Sequence, residues 1–183
     1  MMTNEMHPEN DFIERVERLG SGELAQLRRG CGERDPVEGR CPWLVGLTYG
    51  VSSDAVAFLV AGLLAQYKTI DIRAGRHRSQ GDFGVTWKRA VASGAASESL
   101  KRRFHILLDS EYDSYTGEGD FPYRLRQMVR FAAGKGIGVD WPLLLRHVKN
   151  WNSKEKWVQK KWAGSFFTAE NDGETTKIQE EKD

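Results

Sequence analysis

Eleven consecutive residues from Ala55 to Ala65, AVAFLVAGLLA, carry no polar side chain, and the 183-residue chain holds no longer apolar run. A membrane-spanning helix needs about 20 apolar residues, so this run belongs in the middle of a core. Its length beyond ten residues and its alanine content favour a buried helix, Ala55 to Tyr67, over a parallel strand, with Ser52 or Ser53 as the cap. The N-terminus MMTNEMHPEN is polar and acidic, without the basic and then apolar order of a signal peptide. The sequence therefore predicts no transmembrane segment and a cytoplasmic location. Cys31 and Cys41 form no C-x-x-C pair, so two reduced thiols are expected and a four-cysteine zinc site is excluded.

Around that central helix the periodicity is helical and strand signals are scarce, so the sequence predicts an all-α fold. Phe12, Ile13, Val16 and Leu19 recur at helical spacing before Gly20, and Ser21 is placed to cap a second helix that carries Leu24 and Leu27 and stops at Gly30. Cys31 to Arg40 reads as a loop, and Pro42 opens a short helix through Leu47. Residues 68 to 82, KTIDIRAGRHRSQGD, show no sustained period and read as a mobile basic loop. Further helices are expected at Phe83 to Ala92, Glu98 to Leu108, Pro122 to Ala133, Pro142 to Trp151 and Lys154 to Phe167. Asp120 and Asp140, each two residues before a proline, are placed to stabilise helix starts. The sequence after Phe167, TAENDGETTKIQEEKD, is too polar to bury a core and reads as a disordered acidic tail.

Fragments that imitate catalytic motifs fail on inspection. Gly134, Gly136 and Gly138 follow a helix instead of a strand, and no G-K-[ST] completes a phosphate loop. Asp109, Glu111, Asp113 and Asp120 fall at calcium-loop positions, but Ser114 stands where that loop turns on Gly, and Asp120 replaces the bidentate Glu. His7, His77, His105 and His147 lack partners at zinc spacing or in a nucleophile motif. The reading is a non-enzyme without cofactor or metal.

Charge points elsewhere. The formal net charge of +1 averages acidic ends against a body, residues 15 to 167, that carries +9. Within the body, residues 71 to 103 carry +5, residues 104 to 123 carry −5, and residues 124 to 161 carry +8. Two basic blocks flanking an acidic one fit a polyanion partner better than a small neutral substrate. Arg126 and Arg130 share a helix face at i and i+4, as do Lys156 and Lys160 in the last expected helix. Such rows suit phosphate contacts. Four of the six tryptophans stand at 141, 151, 157 and 162; their spacing favours core roles, with Trp151 and Trp157 the candidates for stacking on bases.

Several short stretches carry a family resemblance: Gln26-Leu27-Arg28-Arg29, Trp87 to Ala92, Arg102-Arg103-Phe104, and above all Asp140-Trp141-Pro142-Leu143-Leu144 followed by Trp151 and Lys154-Glu155-Lys156. In this order, from about residue 12 to residue 167, the chain resembles the CasB family, the small subunit of the type I-E CRISPR surveillance complex, Cascade. The resemblance implies two packed helical bundles, taken here as 11–95 and 96–167, between a disordered N-terminus at 1–10 and the tail at 168–183. It implies a second copy placed head to tail, contacts with the crRNA-containing subunits, and binding to target and displaced DNA strands during R-loop formation in antiviral defence. By position it places nucleic-acid contacts at Arg28, Arg29, Arg126, Lys154 and Lys156, to which the basic rows add Arg89, Arg102 and Arg130. The acidic segment from Asp109 to Asp120 departs from the family pattern; it implies a displaced groove or a face turned to a protein subunit. The alternatives are a free-standing helical nucleic-acid-binding regulator and an enzyme whose site is assembled only in three dimensions.

Overall fold

In the computed structural model, which describes residues 7–71, 77–93 and 97–168, the apolar run lies inside α4 (Asp54–Ile70). Every residue from Ala55 to Ala65 is buried, so this helix is wrapped on all sides. Ser53 caps it, its hydroxyl accepting the Val56 amide at 3.4 Å. Three helices precede it, α1 (Pro8–Glu17), α2 (Ser21–Gly30) and α3 (Val45–Thr48), the last entered through a single 3-10 turn at Pro42–Leu44. Five follow: α5 (Phe83–Ala92), α6 (Ser97–Leu108), α7 (Phe121–Gly134), α8 (Trp141–Lys149) and α9 (Trp157–Phe167). The described residues hold no strand, only one isolated bridge between Arg78 and Val139, and none of their helices is long and apolar enough to cross a membrane.

The helices gather in two groups. α1, α2 and α3 lie on α4, whereas α6, α7 and α9 lie on α5, and α4 reaches across to α7 and α8. One continuous apolar cluster therefore runs from Phe12 to Phe166. α5 precedes residue 95 yet packs on the later helices, because Phe83 and Trp87 on its buried face meet Trp162 of α9 and Phe131 of α7. Its close approach to α9 demands Gly84, where an added Cβ would collide with the Trp162 carbonyl.

Local differences from the sequence reading have physical causes. α1 begins at Pro8, so residues 8–10 are helical; residues 1–6 and 169–183, including nearly all of the acidic tail, lie outside the described residues. Gly20, not Ser21, is the N-cap of α2, and Glu23 reaches back to accept its amide at 2.9 Å. Asp140 caps α8 through the Leu143 amide at 3.1 Å, but Asp120 does not cap α7. Its carboxylate instead accepts the Glu111 amide at 3.0 Å and the Arg124 guanidinium at 2.5 Å. α9 starts three residues later than predicted, at Trp157, because the chain from Asn150 to Lys156 turns and Lys156 adopts a left-handed conformation, φ 47°. The basic loop at 68–82 is helical to Ile70, and its far end is tied down by mutual backbone bonds with Val139. There Glu17 receives both His77 and Arg78; residues 72–76 lie outside the described residues.

Candidate nucleic-acid interface

α2 ends in Arg28-Arg29-Gly30, which puts two cations at the negative pole of a helix, a favourable placement of about 0.3–1 kcal/mol each at an exposed surface. The loop that follows doubles back against the helix end. This needs glycine twice: a Cβ on Gly30 would strike the backbone of Gly39, and one on Gly39 would strike the ring of Phe58 in α4. Asp35 braces the turn by accepting the Val37 and Glu38 amides at 2.7 and 3.1 Å. The result is an open hollow of about 930 Å3 in which Arg29, Arg34 and Arg40 stand with Glu33 and Glu38.

α7 meets the start of the same loop. The guanidinium of Arg126 donates to the carbonyl of Cys31, the C-cap residue of α2, and so satisfies one of the carbonyls that a helix end leaves without an intrahelical partner. Arg130 stands one turn farther along and is exposed. Burial pushes the Cys31 thiol pKa up, while the nearby charges of Arg126 and then Arg130 pull against that rise. Arg29, Arg126 and Arg130 thus stand around the 31–41 loop, brought there by elements about a hundred residues apart in the chain, with Arg28 beside Arg29 at the end of α2. Arg126 is half-buried and its Nε has no hydrogen-bond partner among the described residues, so it joins α7 to α2 as well as contributing charge.

The other predicted contacts lie elsewhere. Arg89 on α5 donates to the Ser79 hydroxyl at 2.8 Å, and Arg102 is exposed on α6. Lys154 and Lys156 are exposed on the turn before α9, not on the helix, so Lys156 and Lys160 do not form the expected row within one helix. Lys156 borders a second hollow whose opposite wall is the acidic segment, and Glu118 and Gly119 of that segment also line the hollow beside Arg126. The acidic segment therefore stands between Lys156 and the arginine cluster, anchored by Arg34 to Glu118 at 2.6 Å. Arg34 and Arg40 escape a reading of the sequence because a loop offers no periodic face; the signal present is the run of glycines and bases directly after a basic helix end.

Neither tryptophan put forward for stacking is freely presented. Trp151 is buried among Phe121 and Trp162, at ring distances of 4.1 and 5.1 Å, and donates its indole N–H to the Ser110 carbonyl; it has the core role its spacing favours and is not presented for stacking on bases. Trp157 is half-exposed and meets His147 edge-on at 5.4 Å. Two of the histidines serve structure. His147 accepts the Trp162 indole N–H at Nδ1, and His77 pairs with Glu17. Burial works against the Glu17 carboxylate, but hydrogen bonds from Arg78 and His77 outweigh it and hold its pKa below the usual range. Among the described residues no group of three histidine, cysteine or carboxylate side chains is placed to hold a metal ion, and both cysteines are free thiols.

Comparison with known proteins gives the family and the fold. The family described as CRISPR-associated protein Cse2 matches residues 23–167, which includes every arginine of the cluster. The chain belongs to the Cse2 family. A curated relative, the CRISPR-associated protein Cse2 of Thermus thermophilus, is 32% identical over 112 residues, or 61% of this chain. The aligned part of this Cse2-family chain spans 56% of that relative's length. The solved structure of CasB from M. ruber is 28% identical, with a TM-score of 0.69 over 87% of this chain and 92% of that one. A chain from a solved CRISPR RNA-guided surveillance complex shares the fold at 20% identity, with a TM-score of 0.70 over 87% of this chain and 91% of its own.

Proposed function

We propose that this Cse2-family chain is a small, non-catalytic subunit of a type I-E RNA-guided DNA surveillance complex, Cascade, and that it holds nucleic-acid backbone without reading sequence. The observation that carries this reading is the convergence of Arg29, Arg126 and Arg130 on the 31–41 loop, where Arg34 and Arg40 add to them and Arg28 adjoins Arg29 at the end of α2. Guanidinium groups form planar forks that match phosphate oxygens, and a cluster of them on a +9 body supplies attraction that does not depend on the base sequence. In RNA-guided systems sequence is read by guide pairing, which leaves the protein to grip strands by shape and charge. The fold shared with a surveillance-complex chain supports the same assignment. Its partners would be the crRNA-containing subunits, a second copy of itself head to tail, and the target and displaced DNA strands of the R-loop formed in antiviral defence. Lys154, Lys156, Arg89 and Arg102 are further backbone contacts in this reading, on surfaces separate from the arginine cluster.

Fluorescence anisotropy with labelled oligonucleotides tests it. Affinity should fall steeply with salt, by about 0.7 in log K per decade of salt for each single-strand phosphate neutralised, and a scrambled oligonucleotide should bind equally well. A preference above about tenfold for one sequence, the scale of a base-reading contact, would instead favour a sequence-specific regulator.

A further inference from the structure

Tyr123, in the first turn of α7, is 61% exposed. Among the described residues no other ring packs on it and no hydrogen bond occupies its hydroxyl. Two hollows meet at this ring. One, of about 280 Å3, lies between α6 and α7 and is lined by Arg103 and Ile106 from α6 and by Tyr123, Arg124, Gln127 and Met128 from α7. The other, of about 400 Å3, is the hollow beside Arg126, which Tyr123 lines together with Arg34 of the 31–41 loop. Tyr123 thus stands where the arginine cluster passes into the groove between α6 and α7.

Charge separates the two hollows. In the one beside Arg126, Arg34 and Arg126 stand with Glu33 and Glu118, and Arg34 holds Glu118 at 2.6 Å, so cations and carboxylates balance. The groove between α6 and α7 holds two arginines and no carboxylate among its lining residues. Arg103 is exposed. Arg124 gives its Nε to Asp120 at 2.5 Å, which leaves further donors of a five-donor guanidinium for a second partner. Ile106 and Met128 add apolar surface to the same groove. An exposed ring, apolar surface and two cations match a ligand with a flat face beside a negative charge. A nucleotide of a single strand has that chemistry, because every base offers a π-face; an acidic peptide brings the charge without the face.

We infer that Tyr123 is a base-stacking residue for an unpaired DNA strand, whose adjoining phosphate is held by Arg103 and Arg124. The inference rests on the proposed function for the identity of the strand: in an R-loop guide and target pair with each other, so the displaced DNA strand is the one that presents free base faces. Stacking adds something that the arginine cluster lacks. A duplex carries twice the charge per length of one of its strands, so backbone attraction alone favours duplex, whereas a ring that needs an open base face selects the unpaired strand. It does so without reading sequence, and the Gln127 amide, able to donate or accept, demands no particular base either.

The test measures anisotropy of labelled ligands on the isolated full-length chain: an unpaired DNA strand of mixed sequence, the same strand in RNA, and an abasic DNA strand of equal length. Tyr123→Ala should weaken binding of the unpaired DNA by at least about fivefold, the low end for one base on one ring, with an unchanged salt slope and no loss on the abasic strand. Tyr123→Phe, which keeps the ring, should bind as the wild type does. Arg103→Ala should lower the salt slope by about 0.7, one single-strand phosphate. Urea midpoints of all three variants should match the wild type, since the substituted side chains are exposed. Wild-type affinity in Tyr123→Ala, an equal loss on the abasic strand, or the same loss in Tyr123→Phe would overturn the stacking. An unchanged salt slope in Arg103→Ala would overturn the phosphate contact. RNA bound more than about tenfold tighter than DNA would overturn the displaced strand as its source, and a polyglutamate peptide that displaces the DNA from the wild type but not from Tyr123→Ala would reassign the groove to an acidic protein. Each of these failures leaves salt-dependent, sequence-indifferent binding by the wild type, and with it the proposed function, in place. A wild type that binds none of the ligands would contradict both.

Discussion

Lowering the pH from 7 to 5 should cost this fold about 2 kcal/mol through a single side chain, His147. Burial disfavours the imidazolium, and despite an opposing pull from Asp82 the pKa is depressed from 6.5 to about 4, with the positive charges of Lys161 and Arg146 adding to the depression. The geometry agrees with the direction. Trp162 can only donate, so Nδ1 of His147, 2.8 Å away, must be the accepting nitrogen; a proton there would face the indole N–H and break the bond. The unfolded chain takes up a proton near pH 6.5 and the folded chain does not until about 4. Stability is therefore full above pH 6.5, falls between 6.5 and 4, and levels off below. With a tenfold change in proton affinity worth about 1.4 kcal/mol, the interval from 7 to 5 captures about 2 kcal/mol, or about 4–8 °C in Tm for a domain of this size. Urea midpoints should be measured at both pH values for the wild type and for His147→Gln, whose amide oxygen can accept from Trp162 but does not titrate. The wild type should lose about 2 kcal/mol more than the variant, the surplus assigned by linkage to His147. Parallel losses, equal within about 0.5 kcal/mol, the scatter of ordinary exposed substitutions, would refute the reasoning.

Other consequences are equally direct. Asp140→Ala removes the cap of α8 and should lower the urea midpoint by the equivalent of about 1 kcal/mol. Gly39→Ala forces a Cβ into the Phe58 ring; overpacking of this sort costs about 1–3 kcal/mol, and displacement of the loop should weaken nucleic-acid binding as well. Arg34→Ala breaks an exposed pair with Glu118 and should cost less than about 1 kcal/mol in a thermal melt. Cys31 and Cys41 are buried, and burial raises both thiol pKa values; alkylation by iodoacetamide at pH 8 should be slow in the native protein and fast in urea.

Much of the helical order is legible in the sequence because it is written in local chemistry. The run from Ala55 to Ala65 announces α4, Ser53 and Asp140 are caps that lie beside the helices they start, and proline at 122 and 142 marks helix entry. Asp120 looks the same as Asp140 from its neighbours but is drawn off by Arg124 and the Glu111 amide, a competition settled only in three dimensions. The start of α9 is misplaced for a similar reason: Ser153 resembles a cap, yet it closes a turn with Asn150 and Lys156. Trp151 shows the limit of spacing arguments, since helical register says which face a ring occupies but not that Phe121 and Trp162 cover it. In the candidate interface the arginines on helices are visible as rows. The bond from Arg126 to the Cys31 carbonyl, across 95 residues, and the acidic segment standing between Arg126 and Lys156 are not, because both depend on long-range packing.

If the proposed function is right, the arginine cluster must act within an assembled surveillance complex. The most direct measurement is the rate and salt dependence of R-loop formation by a reconstituted complex that carries Arg28→Ala, Arg29→Ala and Arg130→Ala together. Arg126 is retained because it also ties α7 to α2, and a complex with Lys177→Ala and Lys182→Ala serves as the control. Assembly is checked separately by co-purification with guide RNA. The triple variant should assemble, form R-loops more slowly, and show a salt slope smaller by about two to three, roughly one for each phosphate no longer held, while the control matches the wild type. A triple variant that assembles and forms R-loops at the wild-type rate with the wild-type salt slope would contradict the central claim.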